Sequence, residues 1–180
     1  QGGKVVACSD VNAEFGKSVA DKYGCKFYAD GEEMIASGDI DAVIVTTIDP
    51  YHEQYVMAAI KAGIYVFCEK PLAPEADACK RIVEAEIARG KQLVQVGFMR
   101  RYDKGYRQLK EAIKNRTYGE PLLLHCAHRN PAVDESYDTP MAVENSMIHE
   151  IDVIRWLLDE DYETAEVVFA KDTRRTHAKL

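Results

Sequence analysis

Four groups of residues in this 180-residue chain have types and spacings suited to chemistry. The first is Glu69-Lys70-Pro71, which follows the apolar run Tyr65 to Cys68. A charged pair at the end of such a run is oddly placed for packing. Proline restricts the residue before it to extended conformations, which fixes the direction in which Lys70 points. A lysine so held can hydrogen-bond or polarise a substrate oxygen; a surface salt bridge in a turn is the plainer alternative. The second group is Asn145, His149 and Asp152, spaced i, i+4, i+7, with Trp156 a further turn on. On a regular helix all four share one face. An inward stripe of Asn, His and Asp is costly to bury unless it is paired or functional. His149 could take the proton from a hydroxyl as it oxidises, or be a core histidine satisfied by Asp152. The third is Asp10, after one apolar run and before a helix. A carboxylate there can accept both hydroxyls of a ribose, or cap the helix, or both. The fourth is Thr46, Thr47 and His52, just past the β-branched run Ala42 to Thr46, where open α/β sheets bind ligands. His52 alone is more often a helix-start or surface histidine, and Asp49-Pro50 is a plain helix-initiation signal.

The elements that must carry these residues follow from periodicity. Strands are expected at Lys4 to Cys8, Lys26 to Tyr28, Ala42 to Thr46, Tyr65 to Cys68 and Leu93 to Val96. The third of these reads as buried on both faces. Helices are expected at Asn12 to Tyr23, Gly31 to Ser37, Tyr51 to Lys61 and Glu75 to Arg89, three of them stopped by Gly24, Gly63 and Gly90. The alternation implies a doubly wound α/β domain with a parallel sheet and right-handed crossovers. After Gly97 the rhythm breaks. Asp103 to Lys114 reads as a helix, Pro121 to His128 as a longer strand, Asn145 to Leu158 as a helix and Thr164 to Ala170 as a strand. Two domains are therefore expected, residues 1–98 and 99–180.

Composition narrows the function. The formal net charge of -7 argues against nucleic acid as a partner. No apolar run reaches the roughly 20 residues of a membrane span, and no charged-then-apolar leader follows Gln1, so neither membrane nor signal peptide is expected. The five cysteines are odd in number and lack a C-x-x-C pair, so the expectation is free thiols in a reducing cytoplasm and no metal site. A dinucleotide-binding domain normally opens with a strand and G-x-G-x-x-G. Gly2 and Gly3 do not make that motif. The simplest reading is that the chain lacks the first β-α unit of such a domain, leaving apolar strand edges uncovered.

The run VFCEKPLA, then VQVGFMRRYDKGY, then HCAHRNP, then IHEIDVIRWL resembles the glucose-fructose oxidoreductase / inositol dehydrogenase / MocA-type family, over about Val5 to Val168. The E-K-P turn alone is moderately specific; the motifs in this order are highly specific. The resemblance implies a Rossmann domain followed by an α+β domain with a large, mostly antiparallel sheet that often forms an oligomer interface. It implies an enzyme of the inositol dehydrogenase kind, oxidising a secondary alcohol of a cyclic polyol or sugar with NAD, and a homo-oligomer, a tetramer, when complete. Lys70 matches the lysine that contacts the reacting hydroxyl, and His149 the catalytic histidine. Arg100, Asn130 and Asp152 match positions lining the polyol pocket, to which Lys70 and His149 also belong. Asp10 matches the acid that selects NAD. Thr46, Thr47, His52, Glu69, Lys70 and Gly97 lie in segments that contact the cofactor. Where the family usually has an aspartate four residues before the histidine, this chain has Asn145. Asparagine still hydrogen-bonds but carries no charge, so a catalytically silent NAD- or sugar-binding protein, or an inactive fragment, is the alternative.

Overall fold

The computed structural model describes residues 2–133 and 137–168. The chain divides into two compact units, Gln1–Gly97 and Phe98–Leu180.

The first unit alternates strand and helix throughout: β1 (Ala7–Ser9), α1 (Ala13–Tyr23), β2 (Lys26–Tyr28), α2 (Gly31–Ala36), β3 (Ala42–Val45), α3 (His52–Ala62), β4 (Tyr65–Cys68), α4 (Ala76–Arg89) and β5 (Val94–Val96). A single 3₁₀ turn at Asp49–Tyr51 leads into α3. Side-chain caps start two of the helices. Asn12 accepts from the Phe15 amide at 3.0 Å, and Asp30 from the Glu32 amide at 2.7 Å. Left-handed glycines at positions 24, 63 and 90 end α1, α3 and α4, as their spacing predicts. All strand pairs are parallel, in two pieces ordered β1-β2 and β3-β4-β5. This is a Rossmann-type α/β fold, as expected. The sheet is open between β1 and β3.

The core lies where α3 and α4 cover the three-stranded piece. Val56, Ala59, Ile60 and Ile82 pack there with Val43, Val45, Val66 and Cys68. Two expectations are corrected. β1 begins at Ala7 rather than Lys4, because its partner β2 supplies only the three rungs Ala7↔Lys26 to Ser9↔Tyr28. β3 is buried on one face only, with Val43 and Val45 inside and Ile44 69% exposed.

In the second unit a 3₁₀ turn (Met99–Tyr102) leads into α5 (Lys104–Lys114), capped by Asp103. One turn, α6 (Thr139–Met141), runs into a π-helical segment, Ala142–Met147, and then α7 (Ile148–Leu158). The expected strand at Pro121 to His128 is not formed, nor is one at 164–168; residues 169 and 170 of that second expected strand lie outside the described residues. A strand exists only through a partner's ladder, and among the described residues these segments have none. Leu122 is accordingly 95% exposed.

Gly16 shows how tightly α1 sits on β1 and β2. A Cβ there would meet Phe27 Cε2 at 2.4 Å and the Asp10 Cβ at 3.2 Å. Overpacking costs about 1–3 kcal/mol, against roughly 1 kcal/mol gained from replacing a helical glycine by alanine. Gly16→Ala should therefore lower unfolding stability by about 1 kcal/mol, read as a lower urea midpoint at unchanged slope.

Candidate active site

In parallel sheets of this kind the carboxyl ends of the strands face the ligand, and the register here makes those ends level. Val45 pairs with Cys68, and Cys68 with Val96. The residues that follow, Thr46, Glu69 and Gly97, therefore form one row. The ladder carries one step further at this edge: the Glu69 amide donates to Val45 O at 3.0 Å, and the Gly97 amide to Cys68 O at 2.7 Å.

Gly97 is where the row is tightest. A Cβ at this position would meet Phe67 Cζ at 3.0 Å and the Glu69 Cδ at 3.3 Å. The Glu69 carboxylate also accepts from the Lys70 amide at 3.2 Å. Lys70 is half-buried, and its peptide bond to the buried Pro71 is cis. Burial pushes the Cys68 thiol up to about 12, with the nearby Glu69 and Asp49 charges adding to the effect. It is a neutral structural thiol, donating to Glu69 O at 3.3 Å. His52 is also buried. Its Nδ1 lies 2.7 Å from Pro71 O and its Nε2 3.0 Å from Thr47 O, so both ring nitrogens are engaged by backbone.

The open strip between β1 and β3 is a cleft of about 240 Å³. Asp10, Thr46 and Thr47, predicted separately, line it together with Ser9, Asp30 and Tyr55. Asp10 is not the helix cap; Asn12 is. One Asp10 oxygen accepts from the Asn12 amide at 2.8 Å, which orients the carboxylate. An oriented acid and two exposed threonines lining one cleft suit the donor-rich ribose and amide groups of a dinucleotide.

The second unit holds the other predicted residues in two ion-paired sets. In the first, Arg100 pairs with Glu150 at 2.5 Å, and His128 Nδ1 lies 3.2 Å from the same carboxylate. The His128 Nε2 is 3.0 Å from Asn130 Oδ1, and the Asn130 amide donates to Ser146 Oγ at 3.0 Å. Tyr137 Oη joins Ser146 Oγ at 2.6 Å. Arg100 and Asn130 are thus members of one network. In the second set, Arg101 clamps both oxygens of Asp152, at 2.9 and 2.5 Å, and the Asp152 side chain is only 7% exposed.

Asn145, His149, Asp152 and Trp156 do not all lie on one regular helix. His149, Asp152 and Trp156 belong to α7, but Asn145 lies in the π-helical segment, where the Ile148 amide reaches back to Val143 O. The segment departs from the regular 3.6-residue turn, and such bulges recur at functional sites. Trp156 faces α5, with Lys110 Nζ over its ring at 4.7 Å. Among the described residues there is no cluster of acidic, histidine and cysteine side chains fit to hold a metal, and no helix long and apolar enough to cross a membrane.

Comparison with known proteins agrees with this geometry. Residues 1–98 match the oxidoreductase family with an NAD-binding Rossmann fold, and residues 106–179 match the GFO/IDH/MocA C-terminal domain. The chain belongs to the GFO/IDH/MocA oxidoreductase family. It is 56% identical to an inositol 2-dehydrogenase of Agrobacterium fabrum, over 99% of this chain and 54% of that protein. It is 52% identical to one of Klebsiella pneumoniae, over 100% and 54%. The chain thus spans about half the length of the curated relatives it matches. Among solved structures it resembles a Lactobacillus casei myo-inositol dehydrogenase in complex with NAD(H) and myo-inositol, with a TM-score of 0.83 and 40% identity over 88% of this chain and 48% of that one.

Sequence reasoning missed Glu150, His128 and Ser146. The signal was present, since Glu150 adjoins His149 and His128 stands two residues before Asn130. Pairing between a loop and a helix, however, has no periodicity to read. Burial pushes the Glu150 carboxyl up, but the hydrogen bonds and charges of Arg100 and His128 outweigh this and hold it below the ordinary glutamate value. Stability from such a group is complete above the ordinary value and is lost as pH falls through the lowered one. Wild type should therefore exceed Glu150→Gln in thermal midpoint near neutral pH, and the two should converge in acid. A gap that persists undiminished into acid would show that the charge contributes nothing.

Proposed function

We propose that the protein carrying this chain oxidises a secondary alcohol of a cyclic polyol, myo-inositol or a close relative, with NAD⁺ as acceptor. The observation that carries this reading is the level row of Thr46, Glu69-Lys70 and Gly97 at the strand ends, in a chain so similar to inositol 2-dehydrogenases. When bound, NAD⁺ supplies the hydride acceptor. Asp10 accepts the ribose hydroxyls, while Thr46, Thr47, Glu69 and Gly97 shape the remainder of its site; His52 acts from beneath. Lys70 donates to the reacting oxygen and polarises it. His149 takes the hydroxyl proton as the carbonyl forms. Arg100, Asn130 and Asp152 hold neighbouring hydroxyls. The Arg101 clamp does not exhaust Asp152, because each carboxylate oxygen retains an acceptor lone pair. The working protein is read as a cytoplasmic homo-oligomer, a tetramer.

Asn145 favours a second reading, a protein that binds NAD or sugar without turning it over. A charged partner that orients the imidazole and stabilises its protonated form is absent at that position. In the serine-protease triad, an Asp-to-Asn change at the orienting residue leaves geometry intact and costs about 10⁴ in rate.

Three measurements on the intact protein test these readings. Lys70→Ala should lower kcat for myo-inositol-dependent NADH formation by about 10² or more, and an unchanged rate would refute the mechanism. Asn145→Asp should raise kcat by on the order of 10² if asparagine limits proton transfer. Calorimetric NAD binding without any turnover in wild type, with turnover gained in Asn145→Asp, would establish the silent reading instead.

A further inference from the structure

We propose that His52 is a positioning residue that ties the Lys70 turn to the Thr46-Thr47 loop; the role rests on Lys70 acting at the reacting hydroxyl. Between β3 and β4 the outermost rung of the ladder is the hydrogen bond from the Glu69 amide to Val45 O. Two residues beyond each end of that rung stand Thr47 and Pro71. Proline has no N–H, so the ladder cannot be continued from Pro71 as donor. At that level the His52 imidazole lies between the two loops, 2.7 Å from Pro71 O and 3.0 Å from Thr47 O.

Three features make this a tie rather than a chance contact. His52 is 1% exposed, so water has little access to its ring nitrogens. It is the first residue of α3, a helix whose Val56, Ala59 and Ile60 are anchored in the core. The ring is therefore carried by the rigid part of the unit. It also reaches the two segments, Thr46-Thr47 and Glu69-Lys70-Pro71, that must hold their places for a ligand at the strand ends. A neutral ring donates from one nitrogen to one carbonyl and only packs against the other, while a ring protonated on both nitrogens donates to both. In either state, removing it takes a hydrogen-bond donor from at least one of these backbone oxygens.

The expected consequence is a displaced Lys70 in a folded protein. Misplacement of a reacting group by about 1 Å can cost 10²-fold in rate. In the intact protein, His52→Leu should lower kcat for polyol oxidation by about 10² and raise KM for NAD, because the Thr46-Thr47 loop loosens with the Lys70 turn. His52→Gln, which keeps a donor of similar reach, should recover part of that loss. Deuterium exchange followed by mass spectrometry supplies a readout independent of activity. In His52→Leu, peptides covering 46–48 and 69–73 should exchange faster, while those of α4 and β5 keep their wild-type rates. Unchanged exchange in the two loops, or faster exchange across the whole unit, would overturn the positioning role. So would a His52→Leu enzyme within twofold of wild-type kcat. A wild type that never oxidises a polyol, combined with exchange changes confined to the two loops, would sink the proposed activity and leave the tie itself standing.

Discussion

The first unit depends on the register of a short parallel ladder. Val45, Cys68 and Val96 share one rung, and everything chemically interesting in this unit starts one residue later or faces the cleft beside it. A slip of one residue in β4 would turn every one of its side chains to the other face, putting Phe67 where Cys68 is buried. It would also carry the charged Glu69-Lys70 pair out of line with Thr46 and Gly97. The register is held by apolar burial, chiefly Val45, Val66 and Cys68 against α3 and α4. Packing of a few aliphatic side chains thus sets the position of the lysine, and the charged residues themselves contribute little to that placement.

The second unit is organised differently. Its described residues carry no strand ladder that could align side chains, and its polar groups are fixed by one another. Arg100, Glu150, His128, Asn130, Ser146 and Tyr137 form a chain of contacts, and Arg101 with Asp152 forms a second pair. A buried ion pair is weak evidence of stabilisation, since desolvation offsets much of its attraction. What it supplies here is orientation, with guanidinium groups held in fixed geometry against carboxylates of the helix that carries His149.

How far the sequence was legible follows from these two modes of organisation. Alternating strands and helices, glycine stops and the caps at Asn12 and Asp30 were readable, because each is a local signal within a few residues. The row at the strand ends was readable too, since E-K-P and Gly97 directly follow apolar runs. The open face of β3 was not, because a β-branched run looks the same whether one face or both are covered. The strand expected at Pro121 to His128 failed for a related reason: alternation gives a segment the capacity to pair but not a partner. The π-helical turn at Ala142–Met147 was invisible to a 3.6-residue period. The role of His52 was hidden most completely, since its partners are backbone carbonyls that any residue possesses.

Cys68 sits at the middle of the outer rung, fully buried, with its thiol held neutral. Thiol reagents attack the thiolate, so this side chain is shielded twice, by sterics and by protonation. It becomes reactive only when β4 parts from its neighbours. The chain thereby carries its own clock for the opening of that ladder. The rate at which Cys68 is alkylated measures the free energy of local opening in the three-stranded piece, separately from the exposed Cys126 in the other unit.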